Sequence, residues 1–178
     1  MSLYARGTWA GRRGTCVVTA GLVGLVMLAG GSAWAACTDV AAPGVDWTRC
    51  PMDGRSFDKA DLSGAHLRDT SFLRATLTKV VLSGAKGYRA KFVSAKMNGA
   101  ILDGGEFNTS DFSRAVLDGA SLKGTDLRRA KFYKASLRGA DLTGARLVGA
   151  DLLHADLSGA TWIDGQTVCS EGSVGQCE

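Results

Sequence analysis

From Phe57 to Trp162 a large apolar residue returns at every fifth position without a slip of register. The series runs Phe57, Leu62, Leu67, Phe72, Leu77, Leu82, Gly87, Phe92, Met97, Leu102, Phe107, Phe112, Leu117, Leu122, Leu127, Phe132, Leu137, Leu142, Leu147, Leu152, Leu157 and Trp162, and only Gly87 breaks the rule. Two residues earlier the chain carries Ala in 16 of these 22 units. A period of five fits neither the 3.6-residue helix nor the two-residue strand. Wound as a helix, it would spread leucine around the whole cylinder. Short extended segments joined by tight turns accommodate it: each unit forms one side of a coil, with one large and one small side chain inward and three residues facing solvent.

Units such as Ala60-Asp61-Leu62-Ser63-Gly64, Ala140-Asp141-Leu142-Thr143-Gly144 and Ala155-Asp156-Leu157-Ser158-Gly159 resemble the pentapeptide-repeat family, A-(D/N)-L-x-x, over residues 55–164 of the 178. The resemblance implies an all-β fold, a right-handed quadrilateral β-helix (a β-solenoid) with four units per coil. Twenty-two units then make about five and a half coils, a prism roughly 26 Å long at the usual strand spacing. Residues twenty apart should stack. Phe72, Phe92, Phe112 and Phe132 share one column as a core ladder, continued by Met52 and Leu152. Gly87 falls between Leu67 and Phe107 in another column, which leaves a gap for Phe107 to lean into. Gly64, Gly84, Gly104, Gly124 and Gly144 form a turn column, as do Gly99, Gly119, Gly139 and Gly159. Glycine permits the positive φ of a type II turn. The other two sides mostly lack glycine there and are expected to turn differently.

The flanks have another character. Residues 1–35 hold Arg6, Arg12 and Arg13 and no acid, then an apolar run, then Ala33-Trp34-Ala35. Basic start, apolar centre and small-residue exit describe a secretory signal peptide, with cleavage expected after Ala35. An uncleaved membrane anchor is the alternative, since the run is just long enough to span a bilayer. A twin-arginine signal and lipidation at Cys37 are weaker matches to the local residues. Beyond the signal, Cys37, Cys50, Cys169 and Cys177 remain, an even number in an exported chain, which reads as disulfides. Four cysteines allow three connectivities; Cys37–Cys50 and Cys169–Cys177 are the pairs local in sequence. Residues 36–54 and 165–178 are expected to cap the two ends of the coil, which otherwise expose strand edges.

With the core assigned, function falls to outward residues. Outside residues 1–35 the chain has 18 bases against 17 acids, almost neutral overall. The four-sided arrangement separates these charges. The two sides centred on the Leu67 and Phe72 columns carry Arg68, Arg74, Lys86, Arg89, Lys91, Arg114, Arg128, Arg129, Lys131, Lys134 and Arg146, against Asp69, Glu106, Asp111, Asp126 and Asp151. Beside them runs an outward apolar stripe of Leu73, Val93, Tyr133 and Leu153, interrupted by Ser113. These residues suggest an interaction face for an anionic partner such as an acidic protein, a lipid headgroup or an envelope polymer. Solvated charge with incidental apolar residues is the competing reading.

Catalysis finds little support. The only histidines, His66 and His154, fall on different sides, no triad can be assembled around either, and no phosphate loop, metal-ligand cluster or cofactor motif occurs. Some members of the family resemble duplex DNA in size and charge and bind DNA gyrase. That role needs a strongly acidic surface and a cytoplasmic address, whereas this chain has a nearly neutral body, a basic half and an export signal. Direct binding to nucleic acid is electrostatically accessible to the basic half, but the expected compartment opposes it. A periplasmic or secreted, non-catalytic interaction module is the expectation.

Overall fold

The computed structural model describes residues 36–178. The expected signal segment, 1–35, lies outside the described residues. From Asp46 to Thr161 the chain coils with a twenty-residue period, and parallel bridges join residues one coil apart, as in Asp46↔His66, Ser71↔Lys91, Lys91↔Asp111 and Asp141↔Thr161. The fold is a β-solenoid. Each side contributes a single bridged residue before the chain turns, so the walls are ladders of isolated bridges instead of continuous strands. Among the described residues the helical element is one 3₁₀ turn, Ala36–Thr38.

The local cause is the same in every unit. The N–H of the central apolar residue donates to the carbonyl one position before the next coil's centre, as Leu62 N does to Val81 O (2.7 Å). The central carbonyl then closes a β-turn, the Leu62 carbonyl accepting at 3.1 Å from the N–H of Ala65, which opens the next unit. Central and small residues point inward and are almost all fully buried. Three small positions are polar: the hydroxyls of Thr70, Ser110 and Thr125 donate to Trp47 O, Gly87 O and Leu102 O (2.6, 2.5 and 3.0 Å), which removes the cost of burying them.

One column is aromatic. The rings of Phe72, Phe92, Phe112 and Phe132 stack at centroid spacings of 5.1, 4.9 and 5.0 Å, with interplanar angles of 4°, 5° and 4°. The coil period dictates that spacing, and offset stacking makes it favourable. Phe107 stands edge-on to Phe92 and Phe112 (5.9 and 6.1 Å) and overlies Gly87.

Two features depart from the expectations. First, the coil starts earlier than the leucine period suggests. Trp47 and Met52 take central positions at 1% and 0% exposure, and Trp47 packs on Phe57 and Phe72 (5.1 and 6.3 Å). Part of the segment read as a cap is therefore coil. Its units lack the Ala-Asp-Leu signature because Trp47 fills the space with one large side chain. Second, all four sides use the same turn. Positive φ occurs at the second turn residue of every side, at 61–72° in glycines such as Gly64, Gly119 and Gly149, but also at 55–63° in twelve non-glycine residues. Closing a square coil imposes equal geometry at each corner, and that requirement overrides the residue preference.

The ends are tied differently. Cys37 is bonded to Cys50, and Cys169 to Cys177. Beyond Thr161 the chain reverses at Asp164, whose carboxylate accepts from Gln166 N and Thr167 N (3.0 and 2.9 Å). It then runs back in two antiparallel bridges, Thr161↔Val168 and Asp156↔Val174.

Candidate interaction surface

Three residues of each unit face outward, and the twenty-residue stacking turns them into columns. Arg74, Lys91, Arg114, Arg128, Arg129, Lys131 and Lys134 are all exposed, on the adjacent sides centred on the Leu67 and Phe72 columns. The apolar stripe is less open than the sequence pattern suggests. Leu73, Val93 and Tyr133 are half-buried between neighbouring coils, and only Leu153, at 57% exposure, stands well out. Tyr133 lies beneath the Lys134 ammonium (5.3 Å) and edge-on to His154 (5.8 Å). The apolar exposure therefore gathers at the C-terminal end of the column.

Among the described residues, four of the five acids on this half are already engaged, and the exposed Glu106 alone is not. Asp69 pairs with Arg89 (3.1 Å) and, more loosely, with Arg68 (3.7 Å). Asp126 pairs with Arg128 at 2.6 Å and lies 3.8 Å from Arg146. The hydrogen bond from Arg128, outweighing partial burial, holds the Asp126 carboxyl below the ordinary carboxylate range and raises the Arg128 guanidinium. Asp111 and Asp151 turn onto their own backbones, accepting from Ser113 N and Leu153 N (2.9 and 3.0 Å). Among the described residues Arg74, Lys86, Lys91, Arg114, Arg129, Lys131 and Lys134 have no carboxylate partner. Positive potential is thus left uncompensated over two adjoining walls.

The same walls carry most of the backbone strain. Ten of the twelve non-glycine residues at positive φ lie there: Arg49, Asp69, Arg89, Thr109 and Arg129 on one side, and Arg74, Ser94, Arg114, Lys134 and His154 on the other. Left-handed backbone costs an L-residue about 1–2 kcal/mol, and glycine relieves it elsewhere in this chain. Six of these strained residues are Arg or Lys, so long cationic side chains stand where the backbone alone would favour glycine.

An open hollow of about 460 Å³ on the Leu67 side is lined by Tyr88, Asn108, Thr109, Arg128, Arg129 and Val148. Arg68 lies over the Tyr88 ring at 5.5 Å. Sequence reasoning selected the two arginines but missed Tyr88, Asn108, Thr109 and Val148. Their signal was the twenty-residue column Arg68, Tyr88, Asn108, Arg128, Val148, parallel to the stripe one side further on. No group of three or more His, Cys, Asp or Glu side chains suited to a metal ion occurs among the described residues.

A family model described as pentapeptide repeats matches in 8 copies, over residues 56–86, 74–104, 90–129, 110–147 and 125–161. It is the model of a repeat and indicates no enzyme. Among solved structures, the chain is similar to HetL, a pentapeptide repeat protein involved in heterocyst differentiation regulation from the cyanobacterium Nostoc sp. strain PCC 7120, at 31% identity and a TM-score of 0.50. That alignment covers 69% of this chain and spans 64% of HetL. A pentapeptide repeat protein of the Arabidopsis thaliana thylakoid lumen aligns at 23% identity over 70% of this chain and 85% of its own, with a TM-score of 0.43. A form of QnrB1, a plasmid-mediated fluoroquinolone resistance protein, aligns at 17% identity over 72% and 76%, with a TM-score of 0.34. No curated protein matches the chain.

Proposed function

The chain belongs to the pentapeptide-repeat family, and from that premise we propose that it is an exported, non-catalytic interaction module whose two basic walls meet an anionic partner in the cell envelope. The observation that carries this reading is the set of seven cations left without carboxylates on adjoining sides, while four of the five acids among them, all but Glu106, are consumed by ion pairs and turns. Uncompensated charge of one sign steers partners of the other. The strain tolerated at Arg74, Arg114, Arg129 and Lys134 supports it, because fold stability alone would place glycine there. In this reading the coil is a right-handed quadrilateral helix, about five and a half turns over residues 55–164 preceded by the units of Trp47 and Met52, and a rigid frame that holds the cations in columns. Two disulfides suit an oxidising compartment, periplasmic or secreted.

The test is a triple reversal, Arg74→Glu, Arg114→Glu and Lys134→Glu, in a chain expressed in a bacterial host. Association with the envelope fraction should be lost in the variant while thermal stability is retained; unchanged association would sink the proposal. Intact mass settles the address. A mature species starting at Ala36 with all four thiols protected is expected, whereas a full-length cytosolic species with free thiols would overturn export. A full-length chain sedimenting with membranes would make it an anchored form of the same module.

A further inference from the structure

The C-terminal cap covers only half of the last coil. Along the Leu77 and Leu62 sides the returning chain satisfies the backbone: Leu157 N donates to Ser173 O, Gly159 N to Cys169 O and Trp162 N to Thr167 O, at 2.8, 2.9 and 2.7 Å. The Leu67 side has no such cover. One coil earlier, Leu127 N donates to Arg146 O (3.0 Å), Arg129 N donates to Val148 O (3.1 Å) and Thr125 O accepts from Arg146 N (2.9 Å). The corresponding groups of the last coil, Leu147 N–H, Gly149 N–H and Ala145 C=O, have no partner among the described residues. The chain leaves the coil at the Asp164 reversal, just where the next Leu67-side unit would begin.

This edge has the shape and surface of an unfinished coil. Leu147 is half-buried where central residues of inner coils are fully buried, and Val148 is 76% exposed. The hollow opens beside it, and the Arg129 stem runs 3.5 Å from where a Cβ at Gly149 would sit. We propose that the edge accepts an extended acidic segment of a partner protein, which adds in parallel as the missing side of the next coil. Its backbone pairs with Leu147 and Gly149 N–H and Ala145 C=O, an apolar side chain covers Leu147, and a carboxylate reaches Arg129 in the hollow. Edges of this kind recruit strands by main-chain pairing, with side-chain pockets supplying specificity.

Charge chooses the occupant. Arg128, Arg129, Lys131, Lys134 and Arg146 surround the edge, against Asp126 and Asp151. A second copy would bring the same cations face to face, whereas an acidic segment neutralises them. The acidic character rests on the basic-wall reading above; the strand pairing does not.

The probe is a short synthetic peptide of alternating valine and glutamate, with a valine–lysine peptide as control, titrated into the purified protein while backbone amide exchange is followed. The glutamate peptide should bind and slow exchange at Leu147 and Gly149. Leu147→Pro removes a donor that bonds to nothing in the free protein and the Leu147 side chain with it, so the variant should stay folded and lose more than the roughly five- to tenfold in affinity that one hydrogen bond is worth. Val148→Asp, which sets a carboxylate on the edge without touching the core, should weaken binding similarly. If the glutamate peptide binds without protecting those amides and only Arg129→Glu abolishes binding, the edge is not the site, yet the basic-wall function survives. Equal binding of the lysine peptide would show that charge does not choose the occupant and would overturn the acidic segment proposed here, whereas the envelope association of the Arg74, Arg114 and Lys134 reversal tests the basic walls separately. Self-association that Leu147→Pro abolishes and the peptide does not displace would assign the edge to a second copy and overturn the inference.

Discussion

The ring of Phe107 occupies the space that a side chain at Gly87, one coil away, would require: a Cβ at Gly87 would overlap Cδ1 and Cε1 of that ring. Gly105 yields to the other edge of the same ring and to Leu102 O, which lies 2.9 Å from its would-be Cβ. Neither glycine has a positive φ. Their role is volume, so two turns of the solenoid share one large residue. Gly87→Ala should therefore cost about 1–3 kcal/mol, as overpacking does in a dense core. Adding Phe107→Leu should recover part of the loss. Calorimetric melting of the single and double variants checks this, and a Gly87→Ala protein as stable as the parent would refute the shared-volume account.

Strain at the cationic corners gives a prediction of opposite sign. Arg114 sits at φ 59° with no carboxylate partner. Arg114→Gly relieves about 1–2 kcal/mol of left-handed strain and adds roughly 0.5–1 kcal/mol of unfolded-chain entropy, so a net gain of up to about 1.5 kcal/mol is expected. Denaturant midpoints measure it. Stabilisation accompanied by weaker envelope association would show the side chain is kept for binding.

The Cys169–Cys177 bond closes a short loop, with a sequence separation of 8, over the last coil. Replacing both residues by serine should cost about 2–3 kcal/mol on the loop-entropy estimate. The loss should concentrate in the cap, so amide exchange should accelerate first at Cys169 and Ser173 and leave the Phe72–Phe132 column protected. Uniform acceleration along the coil would contradict a local role.

Acid should loosen the same end. The Asp156 carboxyl is held below its ordinary value near 3.8 chiefly by the Ser158 hydroxyl and further by Ser158 N and Arg138, partial burial opposing. A group whose folded pKa is depressed contributes fully above its unfolded value and loses that contribution as pH falls through the folded one. Stability should thus be flat above about pH 5 and decline below 4. Asp156→Asn should lower the melting temperature at neutral pH by a fraction corresponding to ~0.5–1 kcal/mol, discounted for exposure, and shrink the difference between pH 7 and pH 3.

The repeated Leu and Ala positions make the core legible in sequence because each coil reuses one inward pattern, and the phenylalanine column follows from counting by twenty. The corners at Arg74, Arg114 and Lys134 were misread for a physical reason: glycine marks where positive φ is easy, whereas closure of the square decides where it is required. Met52 was already counted into the phenylalanine column, but Trp47 was read as cap because the segment around it carries few of the repeat's Ala and Leu residues. The hollow under Val148 needed two columns to be compared at once. The open edge at Leu147 could not be read from sequence, since it depends on the chain reversing at Asp164 instead of continuing.

The twenty-residue bridge period sets how this molecule tolerates insertions and deletions. Each coil touches only the coils before and after it. Inserting twenty residues would lengthen the rod by about 4.8 Å and leave every downstream side chain on its wall. Inserting five would preserve the core equally well, because any unit offers an inward pair, but would rotate everything beyond the insertion by a quarter turn. An insertion between Lys91 and Arg114 would move Arg114 and Lys134 off the wall that holds Arg74 and Lys91. Folding is indifferent to that phase, and a binding partner is not.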